Sequence, residues 1–297
     1  MIEIHFQHKE DAMRLYGYFQ QLLDYESFSK YTLHYEDSHI VQCRYLEDTC
    51  CLEDHNAFLQ WVKKSLCQFM LTVKLNDWLR HMLATHYHYR DEEEQQQIIE
   101  IVHSVLEGKM EELTVFLPKM NIKDYLSSLI HDWFQEHAGI FAFDSFVTFR
   151  LRNFHNELKK YVELSLDEYK LEQEYQMFIQ TLRDFLVDRE PKLKHLHVLV
   201  SDAITFFNEQ FEEIKRAELA KMVDRRLLIN HPVYIDSVTI APLLSIAPAQ
   251  IYIYTDDPDQ PIVRTIRNIF EERIISRPLK SIGEYWRQSG DAFDKKV

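Results

Sequence analysis

The sequence predicts an α+β protein, mostly helical, with a small N-terminal β-α-β-β unit, a central helical body holding an antiparallel αα-hairpin, and a C-terminal α/β module. Three observations carry this. Apolar residues recur at three- and four-residue spacing through most of residues 53–190, the period of a helix with one buried face. Short alternating runs gather before residue 50 and after residue 194, where a period of two marks strands. Hydrophobic residues make up 46% of the chain and aromatics 13%, enough to fill a sizeable core. The expected divisions are 1–52, 53–190 and 191–297, packed as one compact body because no repeat, low-complexity tract or long linker separates them.

Taken in order, Ile2–Phe6 alternates and Glu10–Asp24 is helical in pattern. Tyr31–Tyr35 and His39–Leu46 read as paired strands about the turn Glu36-Asp37-Ser38. Helices follow over Asn56–Tyr89, Glu92–Glu107 and Asn121–His137, with Leu113–Leu117 a short strand or turn before Pro118. The hairpin comes next. Its first helix buries Phe143, Phe146, Val147, Leu151, Phe154, Leu158, Tyr161 and Val162, with Asp144 or Ser145 as cap. Its second starts near Leu166, because Ser165 followed by Glu168 has the spacing of a capping box. That helix buries Leu171, Tyr175, Phe178, Ile179, Leu182, Phe185 and Leu186, and stops before Pro191, which cannot donate to a helix.

Beyond Pro191, His195–Val200 and Ala203–Phe207 form a hairpin and Glu212–Leu228 a helix. Ile240–Ile246 is a short helix, Gln250–Thr255 a strand, Pro261–Glu272 a helix and Arg273–Ile275 a short strand. The uncharged window from Ser237 to Thr255 has the length of a membrane span, but Pro242, Pro248 and Gln250 interrupt it. A buried helix followed by a strand is the expected structure, with no transmembrane segment. The opening MIEIHFQHKED lacks the basic and apolar regions of a signal peptide.

Composition excludes several functions. The chain has 5 glycines, where average usage would give about 20, so the clustered glycines of phosphate-cradling loops are absent. The formal net charge is −14 and no Lys/Arg run exceeds two residues, which disfavours nucleic acid and anionic membranes as partners. Cys43, Cys50, Cys51 and Cys67 lack zinc spacing and read as reduced thiols in a cytosol. No G-x-S-x-G occurs, and no cofactor is implied.

Arg150 lies between Phe146 and Phe154 on the buried side of its helix. A buried guanidinium needs a partner, so Arg150 is expected to pair with Glu172, or failing that Glu168 or Glu174, as a structural ion pair. The functional alternative is an anion or small-ligand sensor built on Arg150. Asp256 and Asp257, with Asp259, follow a strand and precede a helix. Together with Asp236 and with His231 nearby they form the candidate metal site of a phosphoesterase or nuclease; capping of the next helix explains the same residues. His131-Asp132, with His103 upstream and Asp184 downstream, resembles the ligand order of HD-type phosphohydrolases, but about one His-Asp pair is expected by chance in this composition and a polar helix face beside Trp133 and Phe134 is the favoured reading. His81, His86 and His88 lack the i,i+3 or i,i+4 spacing of helical metal ligands. His195 and His197 share a strand face, as two ligands without a third.

The run FDSFVTFRLRNF followed by DEYKLEQEYQMFIQTLRDF resembles the central signature of the YtxC-like family of sporulation-associated proteins, and NHPVYIDSVTIAPLLSIAP and IYIYTDDPDQPIVRTIRNIFEER resemble its C-terminal part. The resemblance implies a cytoplasmic bacterial protein connected with spore formation and brings no catalytic residues. The expected function is therefore non-catalytic, exercised through one or more protein partners.

Overall fold

The computed structural model describes residues 1–26, 30–36, 39–45, 52–115, 117, 121–137, 139–187, 189–224 and 238–283. These residues are mostly helical with two small mixed sheets, the α+β class expected. They form two compact units, Met1–Leu171 and Glu172–Val297. The division falls inside the helix Arg152–Val187.

In the first unit, strands β1 (Ile2–His5), β2 (Tyr31–Glu36), β3 (Ile40–Tyr45) and β4 (Ile140–Ala142) make a sheet of order β2-β3-β1-β4. β2 and β3 pair antiparallel, as do β1 and β3, while β4 runs parallel to β1 with Ile4 opposite Phe141. β4 was not anticipated, since three residues are too few to show a period of two. Gly139 introduces it with φ 78°, and a Cβ there would meet the carbonyl oxygen of Met1 at 3.2 Å. Both facts favour glycine.

Helix α1 (Lys9–Glu26) joins β1 to β2. α2 (Leu52–Phe69) runs through a π-helical turn, Met70–Lys74, into α3 (Leu75–His86), so the single helix expected over Asn56–Tyr89 carries one widened turn. α4 (Glu92–Leu106) begins at Asp91, whose carboxylate accepts from the N–H groups of Glu93 and Glu94. α5 (Glu111–Thr114) is one helical turn where a strand or turn was expected. α6 (Ile122–Glu136) is capped by the Asn121 side chain accepting from Asp124 N–H. α7 (Phe143–Arg150) follows β4 directly.

The largest correction concerns the hairpin. In its place stand the short α7 and one continuous helix, α8, from Arg152 to Val187. The chain passes through Tyr161–Glu168 without glycine or proline, and Ser165 is fully buried inside the helix. A capping-box spacing starts a helix only where the preceding residues leave helical geometry, and here they do not. The break lies earlier, at Leu151, whose N–H bonds to Phe146 O at 3.3 Å. The cap expected at Asp144 is also reassigned: Ala142 holds the cap position, and the Asp144 carboxylate accepts from Gln7 N–H.

The core of the first unit takes Ile4, Leu15, Phe19, Val62, Leu79, Leu126, Phe146, Phe154 and Leu158, all completely buried. Trp133, Phe134, Phe141 and Phe146 form an aromatic cluster at centroid separations of 4.9–5.7 Å.

In the second unit, β5 (His195–Val200), β6 (Ile204–Phe207), β7 (Gln250–Tyr254) and β8 (Ile274–Arg277) form a sheet of order β6-β5-β7-β8. β6 is antiparallel to β5, while β7 runs parallel to both β5 and β8. Helices α9 (Arg216–Met222), α10 (Ile240–Ile246) and α11 (Pro261–Phe270) complete it, α11 being the crossover that parallel β7 and β8 require. Pro261 occupies the first turn of α11, where its missing N–H is harmless. α11 buries Val263, Ile266, Ile269 and Phe270, α10 is buried throughout, and Ile179, Leu182 and Leu186 of α8 enter the same core. Among the described residues no helix is long and apolar enough to cross a membrane.

Candidate functional site

A cleft lies between α2 and α6 of the first unit, which pack against each other. Gln60, Lys63, Lys64, Cys67 and Gln68 stand at i, i+3, i+4, i+7 and i+8 along α2, hence on one face. Lys123, Ser127, Ser128 and His131 stand at i, i+4, i+5 and i+8 along α6 and line the facing side of the cleft. Together they enclose about 350 Å³.

Lys63 forms the floor. Only 7% of its surface is exposed, and its Nζ lies 3.2 Å from His131 Nδ1, which accepts when the imidazole is neutral. The amine also stands 5.7 Å from the Phe134 ring centroid, a cation–π contact. Burial lowers the Lys63 pKa below the ordinary lysine value, because desolvation penalises the charged form. Beside it, Cys67 Sγ is 3.3 Å from Ser127 Oγ. Burial raises the Cys67 pKa, with the Ser127 hydrogen bond opposing the shift, so the thiol stays protonated and unreactive at neutral pH. Lys64, Lys123 and His131 are exposed at the rim.

Arg150 does not pair as expected. Its guanidinium bonds to Glu136 on α6, and 37% of the side chain is exposed. Glu172 accepts from Gln176 Nε2 at 2.7 Å, one turn along α8, and Glu168 is partly buried. The helix phase that set Arg150 between Phe146 and Phe154 is interrupted at Leu151, which turns the arginine toward α6.

The acidic turn after β7 is occupied by its own backbone. Asp256 Oδ1 accepts from Leu279 N–H at 3.2 Å, Asp257 Oδ1 from Asp259 N–H at 3.1 Å, and Asp257 N–H donates to Thr255 Oγ1. Asp236 and His231 lie outside the described residues. Of the HD-type set, His103 Nε2 is 2.8 Å from Asn76 Oδ1, His131 faces Lys63, and Asp184 accepts from Gln180. Among the described residues no three His, Cys, Asp or Glu side chains are placed to hold a metal ion.

His197 of β5 is 7% exposed and lies between two rings, Phe211 at 4.0 Å and Tyr252 at 4.9 Å, with its Nδ1 3.0 Å from Tyr254 Oη. Desolvation first, and His195 second, lower its pKa to about 4. It is a packed neutral histidine.

The amine-lined cleft was missed. Its one visible signal is Lys63, three or four residues from Leu59, Leu66 and Cys67 and so on the apolar side of its helix, where a lysine at a buried helical position needs a reason.

The fold defines a mostly helical α+β protein with two small mixed sheets. The chain belongs to the YtxC-like family, whose family model matches residues 60–275. It is 37% identical over 225 residues, covering 74% of this chain and 77% of the relative, to the uncharacterized protein YtxC of Bacillus subtilis (strain 168). No solved structure matches.

Proposed function

We propose that this chain is a cytosolic, sporulation-associated protein that works by binding protein partners, without a catalytic step of its own. Membership in the YtxC-like family supports the setting, since the sequence signatures resemble a sporulation-associated family. The binding role is carried by one observation: Phe149, on the short helix α7, is 76% exposed while Phe143 and Phe146 of the same helix are buried. An aromatic ring held in water by a fixed helix forgoes about 1.5–3 kcal/mol of burial, which a docked partner recovers. Aromatic residues of this kind are the usual anchors of protein interfaces.

The test is isolation of the tagged chain from sporulating cells beside a Phe149→Ser variant. Wild type should retain a defined protein partner, and the variant should lose it while keeping the wild-type melting temperature. Recovery of the wild-type chain alone, or equal retention by the variant, would remove this reading.

A further inference from the structure

The α2–α6 cleft carries a second inference that does not rest on the partner reading. The chain has 48 acidic against 34 basic side chains, so a lysine placed at random finds a carboxylate easily. In this cleft the reverse holds. No Asp or Glu is among its described lining residues, and among the described residues no ion pair reaches Lys63, Lys64 or Lys123. Lys63 is more than nine-tenths buried, and its contacts are an imidazole and a ring face, neither of which brings negative charge. Burying an ammonium without a counter-charge is unfavourable, and a helix seam that stays polar and open forgoes the apolar packing that usually closes it.

The lining is rich in donors. Three amines are joined by the Ser127 and Ser128 hydroxyls and the Gln60 and Gln68 carboxamides. A carboxylate brings one charge and two oxygens, leaving most of these donors unsatisfied. A phosphate group brings nearly two charges and at least three acceptor oxygens, which matches amines arriving from two helices. The volume of about 350 Å³ lies at the small end of the range of about 300–1,000 Å³ for ligand clefts. It admits a phosphate with a short attached group.

We infer that the α2–α6 cleft is a phosphate-binding site, in which Lys63, Lys64 and Lys123 supply the charge and Ser127 and Ser128 complete the oxygen contacts. The phosphate is either the free ion or one carried on a side chain of a phosphorylated protein. A bound dianion also raises the depressed Lys63 pKa, since an opposite charge favours the ammonium.

The full chain would be titrated calorimetrically with inorganic phosphate, with a phosphoserine peptide and its unphosphorylated twin, and with acetate, all at one low ionic strength. Phosphate or the phosphopeptide should bind saturably and raise the melting temperature, with acetate and the plain peptide inert. The exposed rim gives a variant that leaves the core intact: Lys64→Gln with Lys123→Gln should weaken binding about tenfold or more. Lys192→Gln in the second unit should leave it unchanged. Tighter binding of the phosphopeptide assigns the group to a phosphorylated chain, and equal or tighter binding of the free ion assigns it to phosphate itself. Absence of saturable binding to both, or undiminished binding by the double variant, overturns the inference.

Discussion

His197 shows how a single buried base makes stability depend on pH. Stacked between Phe211 and Tyr252, it titrates at about 4 in the folded chain, against about 6.5 when unfolded. Between those values the unfolded chain binds a proton that the folded chain refuses, so stability falls as pH drops from about 6.5 toward 4 and is unaffected above. The melting temperature of the wild-type chain should decline over that window, and His197→Asn should decline less between pH 6.5 and 5, before carboxylates contribute. Arg150 makes a contrasting case. Because its pair with Glu136 is partly exposed, Arg150→Ala should cost under about 1 kcal/mol. A double-mutant cycle should show coupling to Glu136 and none to Glu172. Had the arginine been sealed in a hairpin, the loss would be about 3–5 kcal/mol.

Helix α8 gives the sharpest test at the level of elements. Ser165 is completely buried and its hydroxyl has no hydrogen-bond partner. Inside a continuous helix, Ser165→Ala removes an unsatisfied group and improves helix propensity, so the protein should gain stability, up to about 1 kcal/mol. At a helix start the same change would cost about 0.5–2 kcal/mol. Chemical denaturation of the one variant decides between them. Much else at this level was legible. The helical periods over Glu92–Glu107 and Asn121–His137 announce α4 and α6, and the strand patterns of Ile2–Phe6 and His195–Val200 announce β1 and β5. Three features were not. β4 is short and pairs with β1 across more than a hundred residues, a choice made by tertiary packing. The break at Leu151 falls among good helix formers with no glycine or proline beside it. The cleft requires two helices remote in sequence to meet, and each face alone reads as an ordinary polar stripe.

Across the whole molecule, the apolar residues sort into separate cores, with α8 feeding Leu158, Tyr161 and Val162 to one and Ile179, Leu182 and Leu186 to another. Leu158→Ala and Leu182→Ala should each cost about 2–5 kcal/mol, but in different units. Trp61, Trp78 and Trp133 belong to the first and Trp286 falls in the residue range of the second, so in a Trp286→Phe background the fluorescence reports the first unit alone. Tryptophan fluorescence should therefore follow Leu158→Ala closely, while Leu182→Ala lowers the circular-dichroism midpoint further than the fluorescence midpoint. Coincident midpoints in Leu182→Ala would mean the chain unfolds as one cooperative whole.

The widened turn at Met70–Lys74 acts as a one-residue spacer. Its last residue, Lys74, reaches Asp11 at 2.8 Å and Asp77 at 3.0 Å, and Arg14 closes the group on Asp77 at 2.6 Å. Exposed Thr72 sits within that turn, its hydroxyl bonded only to the carbonyl of Gln68. Swapping Thr72 for alanine should pass unnoticed, and excising it should shrink the widened turn to an ordinary helical one with the register of α3 kept, whereas the same deletion in a regular turn of α2 would rotate everything that follows by about 100°. At this point in the gene, losing one codon should be far less damaging than losing one a turn or two upstream.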